Sequence, residues 1–200
     1  MDPSSKPNNI SGPRGIEKIT IDSKIISNKH VELISKWIDK IDTSEESPTL
    51  YEFKLILRGT CDGFTPKKFH EICDNQPRTV SIIKVKESNE ILGGYNPIEW
   101  KSYDSEDVNS FGITKDSFIF SFKDKKNVDD YILSRVKNEK RAIKNWVGHG
   151  PSFGLIDFNV PKNGSSLSVC CTKRDYEKLI KEKGGVSARL PIEEYEVFKL

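Results

Sequence analysis

The sequence predicts a β-rich α+β domain, and three observations predict it. Short apolar runs alternate with period two, Gly, Asn and Asp turn residues punctuate them, and helical periodicity is confined mainly to the first half of the chain. With 200 residues, of which 35% are hydrophobic, the chain is long enough to bury one substantial core.

The elements follow in order. Met1 to Gly15 sets Pro3, Pro7 and Pro13 among Ser, Asn and Gly, too little apolar surface to order itself. Residues 1–23 are therefore read as a flexible tail, with at most a short strand at Lys18 to Ile21, and 24–200 as one domain. Ser27 opens a helix over 28–41, where Val31, Ile34, Trp37, Ile38 and Ile41 recur on one face and Trp37 is expected to dock on a sheet. Asp42 to Thr49 reads as a polar, acidic linker. Tyr51, Phe53, Leu55 and Leu57 alternate with Glu52, Lys54 and Arg58, the pattern of a half-buried strand. The run Arg58-Gly59-Thr60-Cys61-Asp62-Gly63 then breaks it, with Asp62-Gly63 supplying the positive φ of a tight turn. Thr65-Pro66 marks a helix start, cap then proline, and the helix ends near Asp74-Asn75. Arg78 to Lys86 and Glu90 to Tyr95 form a hairpin across Ser88-Asn89.

The second half is more broken. Lys101 to Thr114 reads as a long exposed loop. Asp116 to Phe122 alternates strictly, which places Phe118, Phe120 and Phe122 in the core. Val128 to Ile143 fits either a helix or two strands around a turn. Gly148 to Gly154 is glycine-rich and reads as a turn, Leu155 to Val160 as an apolar run and Lys162 to Ser166 as a turn. Leu167 to Cys171 is a short strand, Asp175 to Gly185 a helical turn or irregular, and Ile192 to Leu200 a closing strand with Tyr195 and Val197 on one face.

Charge and composition restrict function. The 32 Lys and Arg against 30 Asp and Glu leave a formal charge of +2, which argues against a nucleic-acid partner. No apolar run is long enough for a bilayer, so no membrane insertion is expected, and a cytoplasmic location is the default. The same default keeps the four cysteines reduced.

Few groups are suited to chemistry. His70 and Cys73 stand at i, i+3 on the second helix, and are read as an exposed histidine beside a buried thiol. Gly150-Pro151-Ser152-Phe153-Gly154 matches G-x-S-x-G by letter, but the segment after it reads as strand, whereas a nucleophile elbow needs a helix there. Gly93-Gly94 lacks the Lys-Ser/Thr of a phosphate loop. Glu193 and Glu194 point to opposite strand faces. Lys36, Lys40 and the run from Lys123 read as solvated surface. No catalytic residue, metal or cofactor is assigned. Cys73, Cys170 and Cys171 remain as candidate redox thiols, which would need exposure and a lowered pKa.

The succession RGTCDGF, FHEICDN, TVSIIKV and ILGGYNPIEW, continued by DSFIFSF, GPSFG and the C-terminal EEYEVFKL, resembles the TLDc domain of oxidation-resistance proteins. The matching positions are Arg58, Gly59, Asp62, Gly63, Phe64, Gly93, Gly94, Tyr95, Trp100, Gly150, Ser152 and Gly154, which the resemblance marks as structural. Phe198 stands where many family members carry tryptophan. The resemblance implies antiparallel sheets packed as a β-sandwich flanked by a few short helices, and favours strands for Val128 to Ile143. It also implies a non-catalytic protein-interaction module linked to oxidative-stress resistance, which binds the vacuolar-type proton ATPase and regulates its assembly. Two alternatives stand beside it: a redox-active thiol protein or cryptic hydrolase, and a fragment of a substrate-adaptor protein. Some relatives carry a further interaction domain before TLDc, for which the first twenty-odd residues have no room. The sequence sets no oligomeric state.

Overall fold

The computed structural model describes residues 21–42, 44, 51–104, 110–161, 167–181 and 188–200. Lys18 to Thr20, most of the acidic linker and the turn at 162–166 lie outside them.

Helix α1 (Asn28–Asp39) is followed by β1 (Lys54–Arg58), a single helical turn α2 (Gly59–Asp62) and α3 (Pro66–Cys73). The strands β2 (Thr79–Val85), β3 (Ile91–Asn96), β4 (Phe111–Gly112), β5 (Phe118–Asp124), β6 (Asn127–Arg135), β7 (Ile143–Lys144), β8 (His149–Phe153), β9 (Phe158–Pro161), β10 (Ser168–Cys171) and β11 (Ala188–Lys199) follow. Every pair is antiparallel, and the strands run β4-β7-β8-β9-β10-β11-β2-β3-β5-β6, with β1 on β11.

The long strand β11 turns this ribbon into two layers. Its first part, Ala188 to Pro191, pairs with β10, and from Ile192 onward it pairs with β2, with β1 joining at Glu196 to Lys199. A register shift between Ile192 and Glu194 marks the crossing, where an irregularity lets a strand change sheets. Tyr195 and Val197 of one sheet meet Phe153, Phe158, Val160 and Val169 of the other in the inner core, with Phe69, Cys73 and Trp100.

The outer face of the β2-β3-β5 sheet carries a second core against α1: Val80, Ile82, Phe118, Phe120, Phe122 and Phe198 meet Val31, Ile34 and Trp37. Strand alternation sends successive residues to opposite cores. The Trp37 ring lies 5.3 to 6.0 Å from those of Phe118, Phe120 and Phe122 and 5.0 Å from that of Tyr131. Each such ring contributes roughly 1.5–3 kcal/mol on burial.

Local chemistry explains the boundaries. The Lys68 N–H donates to Thr65 Oγ1 at 3.2 Å, with Pro66 at the first helical position of α3. Ser27 caps α1, and His30 Nδ1 accepts from the Ser27 N–H at 3.2 Å. Helix α1 ends where Lys40 takes φ 58°. Gly63 has φ +106°, after a turn that winds helically through Gly59 to Asp62.

Four expectations need correction. Gly148 to Gly154 does not turn as a whole: His149 to Phe153 is the buried strand β8, and the chain turns on either side of it, at Val147-Gly148, where the His149 N–H donates to Trp146 O at 3.0 Å, and at Gly154, with φ +63°. Within the expected loop 101–114, Phe111 and Gly112 form β4, and Tyr103 bridges Trp146. The ambiguous Val128 to Ile143 stretch is strand as far as Arg135, a 3-10 turn at Glu139–Arg141 and strand again from Ile143, and its two strands do not pair with each other: β6 pairs β5 and β7 joins the opposite sheet. Lys36 is buried rather than solvated, with Glu32 3.5 Å away.

Candidate functional site

The corner where β1 leaves the sheet gathers the densest polar network. Strand alternation puts Glu194 and Glu196 on one face of β11, facing the Arg58-Gly59-Thr60 corner, and both are buried. Arg58 Nε donates to Glu196 Oε1 at 2.8 Å, and its Nη2 donates to Asp22 Oδ1 at 2.9 Å and to Asp22 O at 3.2 Å. Ser23 Oγ and the Lys24 N–H also donate to Glu196, at 2.5 and 3.0 Å. Glu194 accepts the Thr60 N–H at 3.0 Å and the Thr60 hydroxyl. Asp62 caps the turn by accepting the Arg58 N–H at 2.8 Å. Hydrogen bonds donated to Asp22 and then Glu196 hold the Arg58 guanidinium above its ordinary pKa, against desolvation.

This network clamps residues 22–24 and the β1-α2 corner to the last strand. A carboxylate with three donors has little lone-pair capacity left to take a proton from a substrate. The paired acids therefore hold chain together, and Arg58 is the cation that makes burying Glu196 tolerable. Glu196 was absent from the sequence reading. The available signal was the E-x-E spacing of Glu194 and Glu196 in a strand otherwise apolar on its other face.

The remaining motif positions are packing devices. A Cβ on Gly93 would stand 2.4 Å from Phe120 Cζ, and one on Gly94 would stand 2.6 Å from Phe153 Cζ. The two glycines thus admit one ring into each core, on opposite faces of β3. Gly154 combines its positive φ with Asp157, whose carboxylate would lie 2.2 Å from an added Cβ. Asp157 is buried and accepts the N–H groups of Arg174, Asp175 and Tyr176 at 2.6 to 3.0 Å. Desolvation raises its pKa, opposed by those three donors. Phe64 packs on Tyr195 and against Gly59, Tyr95 on Phe118, and Trp100 on Phe69 and Phe153 with its Nε1 donating to Thr79 Oγ1 at 2.7 Å.

The catalytic look-alikes come apart. Ser152 is buried in β8, and its hydroxyl donates to Gly150 O at 3.1 Å. His70 is buried, contrary to the expectation of exposure, because α3 lies against β8. Its Nδ1 is 2.7 Å from Asp74 Oδ1, and its Nε2 is 3.1 and 2.9 Å from the Trp146 and His149 carbonyl oxygens. Cys73 points instead into the inner core. Burial, followed by the Asp74 charge, pushes the Cys73 thiol far up. Burial pushes Cys171 to about 12 and also raises Cys170, opposed there by Arg189. A nucleophilic thiolate needs the opposite shift. All four cysteines are free, and the exposed one is Cys61, on the α2 turn. Among the described residues no group of three or more His, Cys, Asp or Glu is placed to hold a metal ion, and no helix is long and apolar enough to cross a membrane.

Set against known families, residues 19–200 match the TLDc domain. The chain belongs to the TLDc family. A TLDc domain is a protein-interaction module, and the clamp, the paired glycines and the β8-Gly154 turn all lie inside the matched span. No curated protein matches the chain.

Proposed function

We propose that this TLDc chain is a non-catalytic, cytoplasmic interaction module. It supports resistance to oxidants by binding the cytosolic sector of the vacuolar-type proton ATPase and regulating its assembly. Family membership over 19–200 supports the binding role. The observation that carries the non-catalytic reading is the engagement of the buried acids, Ser152 and the buried thiols. Glu194 and Glu196 each accept several hydrogen bonds from the protein itself, Ser152 bonds its own strand, and the buried thiols are held protonated.

The test is affinity capture from cytosol with the folded chain as bait, followed by mass spectrometry, under several nucleotide conditions. Subunits of the pump's cytosolic sector are expected in the captured fraction. Their absence under every condition counts against the reading.

A further inference from the structure

Among the described residues, one sheet of the sandwich ends on β6, which pairs with β5 alone. Ser134 is the single buried residue in this nine-residue strand. The chain already uses the outer side at one end: the Glu177 N–H donates to Arg135 O at 3.0 Å, and Val136 bridges Tyr176. Because the Arg135 carbonyl points outward, strand alternation turns the N–H and C=O of Leu133 and Tyr131 outward too. Consistent with that, the Val136 N–H points inward to Ser117 O at 3.2 Å.

A cleft of about 660 Å³ opens along this stretch, between Tyr131, Leu133 and Arg135 on the strand and Lys173, Glu177 and Lys178 opposite. Three cations thus face one acid. The Arg135 guanidinium donates to Trp37 O at 2.8 Å, lies over the Phe118 ring and is attracted by the charges of Glu177 and Asp116. At the other end of β6, Asp129 and Asp130 are exposed. Asp130 pairs with Lys123 at 3.3 Å, and exposed edge acids of this kind repel like strands.

We propose that the outer edge of β6 receives an acidic, extended peptide segment as an added antiparallel strand, with its carboxylates beside Arg135, Lys173 and Lys178. In such strand addition the main chain supplies affinity, and charge and alternate side chains supply selectivity. The inference deepens the protein-binding reading and rests on it.

The test is fluorescence polarisation with the purified full chain. The probe is a labelled octapeptide carrying three acidic residues at its amino end, then alternating valine and threonine. Saturable binding is expected, weakened about tenfold or more by replacing the acids with lysine, by N-methylating alternate peptide nitrogens, or by the double change Lys173→Glu and Lys178→Glu. Both lysines are exposed, so the double variant should fold, and circular dichroism checks that it does. No saturable binding, or equal binding of the N-methylated or basic peptide, overturns the proposal. A chain that captures the pump but ignores the peptide sinks this surface alone, and one that binds the peptide but captures no pump subunit sinks the pump reading alone.

Discussion

Arg58 and Glu196 show how a single buried charge decides the behaviour of the corner around it. Removing the guanidinium by Arg58→Ala leaves Glu196 buried among neutral donors, and such breaks cost about 3–5 kcal/mol. Neutralising the acid as well, with Glu196→Gln, should recover part of that loss, read as a rise in the urea midpoint of the double variant over Arg58→Ala alone. An unchanged midpoint for Arg58→Ala would remove the clamp from the account. At the paired glycines the cost is steric. Gly93→Ala and Gly94→Ala each drive a methyl into an aromatic ring, and each should lose about 1–3 kcal/mol by the same measurement, because the rings are wedged between layers. The resemblance marks both positions as structural without showing which ring comes near, since the rings arrive from β5 and β8, far along the chain.

Helix α1 is the element whose stability depends most visibly on pH. Burial, then the Lys125 charge, lowers His30 from 6.5 to about 4, and its Nδ1 accepts from the Ser27 N–H, which suits the neutral ring. A lowered pKa means that the unfolded chain binds the proton more readily. The contribution is therefore complete above about pH 6.5 and lost as pH falls towards 4, on the order of 3 kcal/mol. His30→Gln keeps an acceptor for the cap and should flatten the stability profile between those values; a profile as steep as that of the native chain would refute the assignment. Trp37→Ala should cost about 3–5 kcal/mol in thermal or urea unfolding, since its ring meets four others. The apolar face of α1, the Thr65-Pro66 start of α3 and the β2-β3 hairpin were legible because each signal is local. Strand β8 was not, because three glycines and a proline in GHGPSFG read as a turn, while α3, which covers it, comes from far earlier in the chain. His70 read as exposed for a related reason: the carbonyls it meets belong to residues 146 and 149.

At the scale of the whole molecule, β11 joins the two sheets, receives the Arg58 clamp and supplies rings to both cores, so the ends of the described domain are tied together. The closing strand read from Ile192 missed Ala188 to Pro191, the part that reaches β10, because Pro191 looks like a strand boundary when only the sequence is in view. The result is a body whose apolar residues wedge layers together and whose polar groups hold chain to chain, and the function proposed for it is to work by being bound. The measurement that tests this most directly uses a chain with all four cysteines and Ser152 changed to alanine, confirmed folded by circular dichroism. It compares the effect of this chain and the native one on ATP hydrolysis by purified proton pump. The account expects the two chains to change the pump's rate equally. A native chain that acts beside a folded variant that does not would contradict it, as would a pump indifferent to both.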